Sequence, residues 1–256
     1  MKPIEINGDL VLSLAASVSA LANNDEEDFS NYCDIREPEM LAKCVKPSRK
    51  TLLHCFIENV CCWEITYLLL KHFDEEGIQE MVAWMDSLNI PYDDLQAPTS
   101  DEDYDGIEAY ADALQERFIN MALGPISEAT FAVLYSDKDF LFTFNKKVTD
   151  QIKKLRKEDY PEYLQGDGYL NRDATPQWLK DGVFYRDRGR CQECGTDLSK
   201  IFQNGNNSNY DHIIPLRQGG TNDPTNFQLM CEHCNKAKRD RSTAYRNIIW
   251  PYWDNK

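Results

Sequence analysis

The sequence predicts an α+β protein in two parts: a mostly helical first part, then a small mixed C-terminal part built around a metal site. Three observations carry this. Apolar residues recur at helical spacing in several stretches between residues 9 and 122. Two Cys-x-x-Cys pairs, Cys191/Cys194 and Cys231/Cys234, bracket an Asp-His pair, Asp211-His212; this is the spacing of a four-thiolate zinc site. Charge is unevenly divided. Of a net −15, residues 1–166 carry 15 Lys+Arg and 32 Asp+Glu, net −17, while residues 167–256 carry 13 and 11, net +2. An acidic chain is a poor partner for nucleic acid, but the repulsive charge sits in the first part and leaves the second able to meet phosphates. At 256 residues and 42% apolar content the chain can bury a sizeable core.

Leu10, Leu14, Val18 and Leu21 predict a helix over 9–22, ended by Asn23-Asn24. The stretch is mildly apolar, but Glu5 and Asp9 precede it, only Lys2 is basic, and serines interrupt it, so it does not read as a signal peptide. Residues 25–35 read as an acidic loop and 37–46 as a short helix with Pro38 in its first turn. Residues 50–72 predict a well-buried helix, with Leu52, Phe56, Val60 and Leu68 among residues that wrap its circumference. Residues 74–89 and 105–122 predict two more helices, joined by a Pro- and Asp-containing loop. From Asp74 to Glu116 there are 14 acidic residues and no Lys or Arg. That run reads as a solvated face or as a contact surface for a basic protein partner.

Residues 129–136 and 139–145 are rich in β-branched and aromatic residues around Ser136-Asp137, so a β-hairpin is expected. A basic helix is expected over 146–157 and a linker over 158–174, which places the domain boundary at 165/166. Thr175-Pro176 then reads as the start of a helix running to Arg188-Gly189. Cys33, Cys44, Cys55, Cys61 and Cys62 are odd in number and lack metal spacing. They read as packed, reduced thiols of a cytoplasmic protein. No run looks long enough to span a membrane.

The C-terminal motifs resemble those of the HNH endonucleases. The matching residues are Asp211-His212-Ile213-Ile214-Pro215, Gly219-Gly220, Asn226, and Cys231-x-x-Cys234-Asn235-x-x-Lys238, over roughly the last third of the chain. The resemblance implies a ββα-metal fold over residues 166–256, behind an acidic, mainly helical domain over 1–165. It implies hydrolysis of phosphodiester bonds, with His212 as general base, Asp211 and Asn235 as ligands of a catalytic Mg2+ or Mn2+, and Asn226 ordering the loop that carries the histidine. The third motif position is Asn where other members have His, which favours a hard cation with oxygen ligands. His233, inside the second knuckle, is the rival ligand and reads instead as a supporting or DNA-facing residue. The zinc of the four cysteines has no open coordination position, so its role is structural.

The chemistry fits these residue types. A neutral imidazole can take a proton from water near neutral pH, and a divalent cation neutralises phosphate charge. Arg186, Arg188, Lys236, Lys238, Arg239 and Arg241 are expected on nucleic-acid phosphates; Arg186, Arg188 and Arg190 could equally stabilise a helix C-terminus. The expected partner is DNA, and the motif residues do not themselves choose between DNA and RNA. Modules of this kind often act in bacterial defence or mobile elements, so the resemblance implies that setting, with the acidic domain meeting a protein partner. A non-catalytic zinc-ribbon binding protein and an RNA-cleaving toxin are the alternative readings.

Overall fold

The computed structural model of the chain describes residues 6–26, 29–71, 75–98, 100, 103–199 and 208–238. In chain order these hold α1 (Gly8–Asn23), α2 (Pro38–Val45), α3 (Leu52–Lys71), α4 (Glu75–Ser87), α5 (Tyr104–Phe118), a π turn (Ile119–Leu123), α6 (Gly124–Tyr135), α7 (Lys138–Ile152), β1 (Leu164–Gly166), β2 (Tyr169–Leu170), α8 (Gln177–Arg186), β3 (Ser208–His212), β4 (Phe227–Cys231) and α9 (Glu232–Lys238). The protein is mostly helical, with two small antiparallel sheets, β1–β2 and β3–β4.

The chain forms two compact units: residues 1–21 with 53–134, and residues 22–52 with 135–256. These compact units do not follow the expected division at 165/166. The unit that holds the cysteine pairs also contains α2, α7 and the β1–β2 hairpin. The division sharpens the charge split: the first unit has 3 Lys+Arg and 19 Asp+Glu, net −16, and the second has 25 and 24, net +1.

In the first unit, the buried residues of α1 (Leu14, Val18), α3 (Leu53, Phe56, Ile57, Val60), α4 (Met81, Met85) and α5 (Leu114, Phe118) recur every three or four positions, as their spacing predicts. Pro125 has no N–H to donate, and the chain passes through the π turn just before it without leaving the helix. The result is a continuous helix, Tyr104–Tyr135, long and apolar enough to cross a membrane by length and composition alone. This corrects the sequence expectation, although Leu114, Phe118, Ala122, Ile126 and Leu134 of that helix are buried within the protein. Cys55 and Cys61 pack as small apolar groups; burial pushes the Cys61 thiol up to about 12. His54 is buried and stacks on Phe131 at 3.9 Å. His72 lies outside the described residues.

The expected hairpin over 129–145 does not form: its first half completes α6, and its second half lies in α7 of the second unit. Asp137 is an N-cap whose side chain accepts from the Phe140 N–H, and it starts α7. Phe140, Leu141, Phe144, Val148 and Ile152 are then buried at helical spacing. Tertiary burial overrides the β propensity of the aromatic and branched residues. The basic run 146–157 is not one helix, since α7 ends at Ile152, and Lys147, Lys153 and Arg156 pair with Asp25, Asp150 and Asp167. The expected linker carries the β1–β2 hairpin, with Leu164 paired to Leu170 and both buried. Helix α8 begins one residue later than expected, with Pro176 in the cap position.

Candidate active site and metal centre

The metal centre is built from two tight turns brought against β4. In the first, Cys191 N–H donates to Thr196 O, and Gly195, at φ +77°, donates to Cys191 O. Gln192 N–H ties this turn to Leu229 O on β4. The second turn caps the end of β4, where Cys234 N–H donates to Cys231 Sγ. Leu179, Val183, Leu198, Phe227 and Leu229 form the small core beneath. All four sulfurs lie within 4.8 Å of one another, with Cys194 and Cys231 at 3.8 Å. A tetrahedral zinc with Zn–S bonds of about 2.3 Å holds its sulfurs about 3.8 Å apart. The donor set fits structural zinc. Burial and the neighbouring Cys231 and Cys194 drive the Cys234 thiol up.

Asp211 and His212 sit at the end of β3, opposite Gln228 and Phe227 of β4. The loop back to β4 is drawn tight by Gly219, at φ +89°, and by Gly220, where a Cβ would lie 1.9 Å from Ile214 O. Asn226 is fully buried inside this loop. Its amide donates to Ile214 O and Thr221 O, its Oδ1 accepts from Ile214 N–H, and its carbonyl accepts from Ile213 N–H. Those bonds hold the backbone just after His212, and Asn226 itself does not line the pocket. Asp223 extends the scaffold by accepting from Thr225 and from Leu52 N–H, and Thr225 bonds Asn145 of α7.

His212 is buried, its ring 4.4 Å from that of Phe227, and Nε2 lies 3.3 Å from Asn222 Oδ1. Burial, helped by the positive charges of Arg172 and Lys238, lowers its pKa to about 3 against the bond to Asn222. The imidazole is therefore neutral at physiological pH, the state in which it can accept a proton.

Asp211 carries the carboxylate, a quarter exposed, and Lys238 Nζ donates to its Oδ2 at 2.6 Å. The same ammonium donates to the carbonyls of His212 and Ile213. Three oxygens thus converge on one positive charge, a donor set that suits a hard cation. Asn235, one turn earlier on α9, is half-buried. The α9 side chain that reaches Asp211 is Lys238, and a cation on Asp211 would compete with it.

Asp211 and His212 open into a pocket of about 320 Å³ whose other lining includes Gln165, Tyr169, Arg172, Leu216 and Arg217. The sequence reading missed Gln165, Tyr169, Arg172 and Arg217. Three of them come from the hairpin segment read as a linker, and no local motif marks them. Of the predicted phosphate contacts, Arg186 is corrected. Its side chain is buried, pairs with Asp187, donates to Phe227 O and lies over the Tyr135 ring at 4.8 Å. Lys238 is committed to Asp211, and Lys236 pairs with Glu232. Arg188 and His233 are exposed. Arg239 and Arg241 lie outside the described residues.

A two-stranded antiparallel sheet, a short helix and a cluster of four cysteines thus surround the Asp-His pair. Residues 191–241 match the family model for HNH endonuclease, so the chain carries an HNH domain in its C-terminal part. No curated protein and no solved structure matches the chain.

Proposed function

We propose that this protein is a metal-dependent endonuclease that hydrolyses phosphodiester bonds in DNA. The observation that carries the reading is the pocket in which His212 and the Asp211 carboxylate face Arg172 and Arg217. His212 removes the proton from the attacking water. Arg172 and Arg217 hold phosphate oxygens and set the strand against the histidine. Asp211, with Asn235 as the second oxygen donor, would hold Mg2+ or Mn2+, which supplies charge for the pentavalent phosphate when bound. The cysteine zinc clip holds the β3–β4 hairpin and α9 together and takes no part in the reaction.

The charge distribution supports the setting we assign. The acidic first unit, net −16, repels nucleic acid and suits a basic protein partner. We place the protein in bacterial defence or in a mobile element, with that unit as its partner-binding part.

Plasmid nicking by the zinc-loaded chain tests the activity. Cleavage in Mg2+ or Mn2+ that is lost in EDTA and in His212→Ala is the expected result, with matched RNA cut more slowly. A folded, zinc-loaded protein that cuts neither substrate would sink the nuclease reading in favour of a binding module.

A further inference from the structure

Which ring nitrogen of His212 is left to act is decided by a residue outside the motif positions. We infer that Asn222 is a positioning residue that locks His212 as the Nε2–H tautomer and leaves Nδ1 as its basic nitrogen. The catalytic consequence rests on the nuclease reading; the tautomer does not.

Asn222 is fully buried. Its side-chain nitrogen donates to Val45 O and to Asn171 O, both at 2.8 Å. Backbone carbonyls only accept, so the nitrogen end of the amide is assigned. Flipping it would set an amide oxygen against two carbonyl oxygens. The oxygen end therefore faces His212 Nε2 at 3.3 Å. An amide oxygen cannot donate, so Nε2 must carry the hydrogen, and in the neutral ring the lone pair falls on Nδ1.

The anchor is supplied from elsewhere in the chain. Helix α2 ends at Val45, and its last carbonyls have no partner within the helix. Asn222 meets two of them, its backbone N–H donating to Cys44 O at 2.8 Å and its amide to Val45 O. The Asn171 carbonyl comes from the exit of the β1–β2 hairpin. Thus all three N–H hydrogens of Asn222 are held by backbone that lies outside residues 191–241, and its side-chain oxygen is aimed at the histidine.

The test is a long-range 1H–15N spectrum of the zinc-loaded full chain. There are only 4 histidines, and His212 is identified by its loss in His212→Gln. The expected pattern is a single Nε2–H tautomer. Asn222→Ala should scramble that pattern and lower kcat by roughly 10–100-fold, with KM for plasmid within about twofold. Asn222→Asp keeps an oxygen for Nε2–H but loses the same two amide donors, so it separates orientation from anchoring. If orientation is the role, Asn222→Asp retains the tautomer and more activity than Asn222→Ala. A wild-type Nδ1–H pattern, a tautomer unchanged in Asn222→Ala, or an Asn222→Asp variant as impaired as Asn222→Ala would each overturn the inference. An inactive wild-type chain showing the Nε2–H tautomer would uphold it and overturn the nuclease reading instead.

Discussion

Arg186, expected on phosphates, and Arg172, which no motif marks, differ in kind in the structure. Arg186 is sealed beside Asp187, which also accepts from Leu229 N–H, so the pair fastens α8 to β4. Removing one partner of a buried pair strands the other. Arg186→Met should therefore lower stability by about 3–5 kcal/mol in thermal or urea unfolding. Arg172 is exposed on the pocket rim. Arg172→Ala should leave the melting temperature unchanged, raise KM for DNA several-fold, and reduce the salt dependence of binding by about one phosphate contact. An unchanged salt slope would remove the rim from the substrate path. The sequence reading expected Arg186 on phosphates and passed over Arg172, because burial follows from where distant segments pack and not from local pattern. Asp211, His212 and the four cysteines were legible for the opposite reason: their chemistry is tied to short, fixed spacings.

At the level of elements, helices with a one-sided apolar stripe were readable, and α1 through α5 form where their spacing puts them. The segment 129–145 was not. Its Phe, Val and Thr content suits a strand on composition alone, and the deciding residue, Asp137, reads as a turn former until its N-cap bond to Phe140 is seen. The β1–β2 hairpin was missed because two short strands around Gly166 and Gly168 carry the same signature as a linker. The zinc clip makes a prediction at this scale. The β3–β4 pair and α9 enclose little core of their own, so most of their stability should come from the metal. The purified chain should contain one zinc. Cys231→Ser should lose it and lower the melting temperature of the second unit more than any single apolar truncation there. Full thermal stability without zinc would contradict a structural role for the site.

For the whole molecule, the decisive fact is that the HNH domain sits inside a larger compact unit. Leu52, Cys44, Val45, Asn145 and Asn171 all bond the loop that follows His212. A fragment of residues 166–256 should bind zinc, yet show broadened spectra around His212 and at least tenfold weaker nicking than the full chain. A chain retaining residues 22–52 and 135–256, with a short linker replacing 53–134, should keep activity and lose only association with a basic partner. Equal activity of the two pieces would mean that the surrounding unit is dispensable. No sequence motif announces this dependence, because all but the Asn145 bond are made to the loop by ordinary backbone groups.

The same bonds set an order of events during synthesis. Val45 and Asn222 are 177 residues apart. At about 5–20 residues per second, the carbonyl that anchors Asn222 waits roughly 10–35 s on the ribosome before its partner is made. Because Asn222 is made long after α2, the His212 ring is oriented only once the two segments have met.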